Sequence, residues 1–227
     1  ANRILDREID SINPRTNGRH LPMGILKVSD LTVLALVFLV VFFVAAYQLN
    51  ILALTLAPVA ALYLCACPLA KRFTWLSNMA LGFALSIAPS GAWIGVTGNL
   101  SWEPILLSAS VMFWACSFDI LYHVPDHDFY LKEALYSIPQ HFGIEFSFRL
   151  ARVLDSLAIV CLIILGLGME IQYPYFIGCG LSLGVLVYKH VYILIRGRSA
   201  IGTSFFKINS VISIVMLIAI LSAVLMD

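Results

Sequence analysis

The chain has 227 residues, of which 61% are hydrophobic and 12% charged, and its mean hydropathy is +0.94. Soluble domains run at about 45–50% apolar, so this composition excludes a soluble globular protein and points to an integral membrane protein. A formal net charge of +1 carries no information about partners, because in a membrane protein the placement of charge matters rather than its sum.

The first segment, 1–28, is polar and opens ANRILDREIDSINPRTNGRHLP. Asn2, Asp6 and Asp10 recur every four residues, which on a helix aligns three oxygen-bearing side chains along one face. Neighbouring carboxylates repel unless a cation sits among them, and a hard divalent ion such as Mg²⁺ prefers such oxygens. Arg3 and Arg7 share the spacing, so ion pairs on a solvated helix are the plainer reading of this stretch alone. Arg15 and Arg19 follow in a loop containing Pro14 and Gly18.

A membrane span needs about 20 apolar residues. Seven stretches qualify: 29–48, 51–69, 76–97, 103–123, 151–169, 175–194 and 206–226. The intervening segments alternate between long and polar (1–28, 70–75, 124–150, 195–205) and short (49–50, 98–102, 170–174). Threading seven spans places all fourteen basic residues on one face, with Glu103, Glu170 and Asp227 opposite. The positive-inside rule makes the basic face cytoplasmic. No charge is expected near the centre of any span, which disfavours a transporter built on buried ionisable groups. Lys189, Arg196, Arg198 and Lys207, with no acidic motif beside them, are expected to signal topology and contact headgroups.

Between the second and third spans, LAKRFTWL sets Lys71 and Arg72 where they can meet phosphate or carboxylate. The fourth span ends in SFDILYHVPDHDFY. Asp119 falls within its apolar end, where an ionisable residue is costly and marks a functional candidate. At about 100° per residue Asp119, Tyr122 and Asp126 share a helical face while Asp128 points away, provided Pro125 leaves the helix intact. The five cysteines lie in apolar runs without ligand spacing, and the five histidines are expected to be loop or interfacial residues.

These motifs together resemble the UbiA superfamily of intramembrane aromatic prenyltransferases. Its NxxxDxxxD motif and RTxxRxLPxG-like loop are matched by Asn2, Asp6, Asp10, Arg15, Thr16, Arg19, Leu21, Pro22 and Gly24. Its second motif, DxxYxxxDxxxD, is matched by Asp119, Tyr122 and Asp126, with Tyr130 where the last acid belongs. Lys71, Arg72 and Thr74 match KRxT, and Ser137 to Gly143 match SIPxxFG. The resemblance implies an all-α transmembrane bundle of nine helices, of which this chain would supply the third to the ninth as a single, N-terminally incomplete domain. It also implies Mg²⁺ held by Asn2, Asp6, Asp10, Asp119 and Asp126, and a polyprenyl diphosphate bound by Arg15, Arg19 and Lys71. Tyr122 would face the allylic cation, Asp126 would take a proton, and Arg72 would meet the acceptor's carboxylate. The acceptor implied is an aromatic acid such as 4-hydroxybenzoate in ubiquinone synthesis. Alternatives are a carboxylated or dihydroxy naphthalene of menaquinone synthesis, or haem. A bacterial inner-membrane location follows, with the bilayer as partner and no nucleic acid. A non-catalytic polytopic transporter is the competing class.

Overall fold

The computed structural model describes residues 1–197, 201 and 203–226, apart from the side chains of 203–207. Its described residues form helices and connecting turns with no strand, as lipid requires of segments whose backbone groups find no water. In chain order these are α1 (Asn2–Leu5), α2 (Arg7–Ile12), α3 (Val28–Leu49), α4 (Ile51–Ala66), a 3-10 turn (Cys67–Arg72) and α5 (Ser77–Thr97). There follow α6 (Trp102–His123), α7 (His127–Lys132), α8 (Ile138–Phe142), α9 (Ile144–Gly168), α10 (Tyr173–Arg196) and α11 (Thr203–Val224).

Among the described residues six helices are long and apolar enough to span a bilayer: α3, α4 with its 3-10 turn, α5, α6, α9 and α10. The seventh predicted span coincides with α11, whose described apolar part, Ile208–Val224, is by itself short of a full span. Arg198, Asp227 and the side chain of Lys207 lie outside the described residues. On α3, Val33, Leu36, Phe38, Val40 and Val41 are exposed, as suits a helix that faces lipid rather than a protein core.

Successive spans run in opposite directions. At the end with short corners, the Asn50 side chain caps α4 by accepting from the Ala53 N–H at 2.8 Å and donates to the Ile94 carbonyl of α5 at 2.7 Å. Gly98, at φ +70, closes α5 in the left-handed conformation that glycine adopts without strain. The long polar segments meet at the other end.

The α5–α6–α9 core relies on close helix approach. A Cβ on Gly82 of α5 would stand 2.2 Å from Cys116 Sγ and 2.8 Å from the Met112 carbonyl oxygen of α6. Small residues permit such packing where no hydrophobic effect drives helices together in lipid. Gly82→Ala is therefore expected to cost about 1–3 kcal/mol by overpacking, visible as a lower thermal midpoint in detergent; an unchanged midpoint would show that α5 shifts freely.

Two expectations about charge in the spans require correction. Asp155 of α9 and Lys189 of α10 are 2% and 0% exposed, and their side chains meet at 2.5 Å inside two candidate spans. His190 Nε2 lies 2.6 Å from the same Asp155 oxygen. Lys189 thus does not sit on the basic face, and a span does carry a buried acid, at the twelfth residue of a 25-residue helix. Averaged hydropathy hides a single charge in a long apolar window, and spacing along one helix does not reveal a partner on the next.

Candidate active site

The N-terminal segment folds back on itself before it meets the bundle. The Asn13 side chain accepts from the Arg15 N–H at 2.9 Å, and Thr16 Oγ1 donates to the Asp10 carbonyl at 3.2 Å. Such short-range bonds from Asn and Thr side chains set turns. This one returns Arg19 to Asp10, where one guanidinium nitrogen donates to both carboxylate oxygens, at 2.8 and 2.6 Å.

Asp6 sits at the break between α1 and α2, yet its N–H still reaches Asn2 and its carbonyl still serves Asp10, so the four-residue spacing holds across the break. Among the described residues Asp6 and Asp10 pair with Lys71 and Arg19 rather than with Arg3 and Arg7. Lys71 Nζ donates to Asp6 Oδ2 at 2.5 Å, from the turn after α4. Arg72 donates to the Leu5 carbonyl and stands 3.9 Å from Asp6 Oδ1.

The second acidic cluster differs from a continuous helix. α6 ends at His123, and Asp126 lies in the following turn as the residue that opens α7. The proline-containing turn breaks the predicted phase, but Asp119, Tyr122 and Asp126 still line one cavity. Arg15 donates to Asp126 Oδ2, and its guanidinium carbon lies 3.9 Å above the centre of the Tyr122 ring. Asp128 points away to pair with His127 at 2.9 Å, its side chain 78% exposed. Tyr130, where the resemblance leads one to expect an acid, is buried. Burial first, and then the carboxylates of Asp119, Asp126 and Asp6, push its phenol pKa well above the usual value. It stays neutral and cannot replace an anionic ligand.

Asp119 has a partner that spacing does not reveal. Asn78 of α5, fully buried, donates to Asp119 Oδ2 at 2.7 Å, and His123 Nδ1 lies 3.0 Å from the same amide nitrogen. Both residues were invisible as site members in the sequence: Asn78 sits in no acidic motif, and His123 reads as interfacial although it stands one turn from Asp119.

The cavity measures about 690 Å³. Asn2, Asp6, Asp10, Arg15, Arg19, Lys71, Asp119, Tyr122 and Asp126 all line it, whereas Arg72 is not among the lining residues. Leu64, Leu81, Leu85 and Phe118 form an apolar wall. All four carboxylates are 5% exposed or less. Among the described residues no group of three acids, histidines or cysteines stands ready to hold a metal as arranged; Asp6, Asp10 and Asp126 are drawn to a cation of the chain and Asp119 to Asn78. The donor set still fits a hard divalent ion, because four carboxylates share one cavity and Asp6 Oδ1 is buried without a hydrogen-bond partner.

Known proteins resemble the chain over most of its length. Residues 1–211 match the model of the UbiA prenyltransferase family. The 4-hydroxybenzoate octaprenyltransferase of Methylobacillus flagellatus is 28% identical over 208 residues, 92% of this chain and 70% of that protein. The enzyme of the same name from Vibrio cholerae is 27% identical over 213 residues, 92% of this chain and 74% of that protein. The apo structure of a UbiA homolog from Aeropyrum pernix superposes with a TM-score of 0.89 at 24% identity, covering 97% of this chain and 82% of that one. A digeranylgeranylglyceryl phosphate synthase structure gives 0.71 at 21% identity, covering 98% and 78%. With the family motifs gathered around one cavity at the polar end of an all-helical bundle, the chain belongs to the UbiA prenyltransferase family and is a multi-pass membrane polyprenyltransferase.

Proposed function

We propose that this protein transfers a polyprenyl group from its diphosphate to an aromatic acid such as 4-hydroxybenzoate, in quinone biosynthesis and with Mg²⁺. The observation that carries the reading is the convergence of four carboxylates and three cations on one cavity with an apolar wall. The names of the Methylobacillus and Vibrio relatives support the acceptor. Asp6, Asp10, Asp119 and Asp126, with Asn2 at the start of the motif, would hold Mg²⁺, which would supply charge to neutralise the leaving diphosphate.

The chain's own residues do the rest. Lys71, Arg15 and Arg19 exchange their carboxylate partners for phosphate oxygens, which stabilises the charge that builds up as the allylic C–O bond breaks. The prenyl chain lies along the apolar wall of Leu64, Leu81, Leu85 and Phe118. The Tyr122 face, which holds the Arg15 guanidinium in the free protein, receives the allylic cation once Arg15 turns to the diphosphate, a contact worth about 0.5–2 kcal/mol. The acceptor carbon beside the phenolic hydroxyl forms the new C–C bond, and Asp126 takes the ring proton, freed from Arg15 by the same exchange. Arg72, which donates to the Leu5 carbonyl and lies off the cavity lining, turns inward to meet the acceptor's carboxylate. The protein lies in a bacterial inner membrane with its cavity end toward the cytoplasm, a reading that the basic residues at that end support.

Incubation of membranes containing the protein with labelled polyprenyl diphosphate and 4-hydroxybenzoate is expected to give Mg²⁺-dependent transfer. Absence of transfer to this and to carboxylated naphthalene acceptors would overturn the reading. Arg15→Gln removes a charged donor worth about 1.5–3 kcal/mol, so KM for the diphosphate substrate is expected to rise by about 10- to 100-fold, with KM for the acceptor little changed.

A further inference from the structure

We infer that Asn78 is a positioning residue, locked by the Tyr136–Ile138 backbone so that the Lys71–Asp6 half of the site and the Asp119 half keep one register. After α7 the chain reverses through Ala134, a non-glycine residue at φ +50, and runs back along the start of α5. Left-handed backbone at alanine is strained and persists only where the surroundings hold it. Three hydrogen bonds do so. The Tyr136 N–H donates to the Lys71 carbonyl at 2.7 Å, Ser77 Oγ donates to the Tyr136 carbonyl at 2.9 Å, and the Ile138 N–H donates to Asn78 Oδ1 at 2.9 Å.

The last bond decides which way the Asn78 amide faces. With Oδ1 committed to Ile138, Nδ2 must point at Asp119 and His123. A buried amide with both ends engaged has no second orientation of similar energy. The clip therefore grips Lys71, which holds Asp6, and at its far end fixes the rotamer of Asp119. It also assigns a task to the SIPxxFG motif, whose Ser137 and Ile138 are fully buried yet do not line the cavity.

This inference rests on the cavity being a metal–diphosphate site, and the experiment separates the two. Mn²⁺ is titrated into the full chain in detergent with inorganic diphosphate, and bound metal is read by electron paramagnetic resonance. Diphosphate-dependent binding by the unaltered protein tests the site itself. Asn78→Leu and Asn78→Ala are then expected to weaken Mn²⁺ binding at least tenfold with the helical circular dichroism unchanged, and to raise KM for the diphosphate substrate but not for the acceptor. Ser77→Ala, at a partly exposed position on the cavity's edge, loosens the clip by removing the bond to the Tyr136 carbonyl and is expected to weaken binding two- to fivefold. It provides the reading if neither Asn78 variant folds. Folded variants that bind Mn²⁺ as tightly as the unaltered protein would overturn the inference while leaving the site intact.

Discussion

Asp119→Asn is expected to lower prenyl transfer by about 10²–10³-fold, the size of effect seen when one preorganised electrostatic partner of a transition state is removed. The change is nearly isosteric. The amide oxygen of the new side chain still accepts from Asn78 Nδ2, so the buried contact at 2.7 Å survives and the helix is not destabilised. What disappears is one negative charge at the α5–α6 wall of the cavity. Transfer from labelled diphosphate, measured beside the thermal midpoint, separates lost chemistry from lost fold. Asp128→Asn is the control: that carboxylate pairs with His127 and is largely exposed, so its removal is expected to leave transfer unchanged. Equal losses at Asp119 and Asp128 would mean that the cavity is not the site.

The second large effect concerns stability. Asp155→Leu strips the shared partner from both Lys189 and His190 within the spans. Removing one partner of a buried ion pair costs about 3–5 kcal/mol, enough to unfold a marginally stable bundle. Lys189→Met is expected to cost less, because His190 still bonds Asp155. The double variant Asp155→Leu, Lys189→Met is expected to recover most of the loss, since apolar replacement of a whole buried pair is often neutral. Chemical denaturation of the three variants in detergent reads this as a coupling energy. Strictly additive losses would show that the two side chains do not depend on each other.

The spans were legible because a bilayer imposes a length and an apolar composition that each segment meets on its own. The first acidic motif was legible in part. Spacing brought Asn2, Asp6 and Asp10 to one face, but local pairing with Arg3 and Arg7 fitted that spacing equally well. Choosing between these required Lys71, sixty-five positions away in the chain, to be seen beside Asp6. The second motif shows the converse. The turn at Pro125 ends the helix that spacing assumed, and tertiary contacts return Asp126 to the cavity through Arg15.

Sequence by itself determined that this is a membrane helical bundle with its polar segments at one end, and that two acidic motifs with nearby arginines occupy that end. Those properties depend on local composition and on periods of three to four residues, which a single strand of text records. The tertiary structure alone decided which cation neutralises which carboxylate, that Asn78 fixes Asp119, and that Asp155 and Lys189 lock α9 to α10. Each is a pairing between helices distant in sequence, set by how the helices pack and not by the spacing along any one of them.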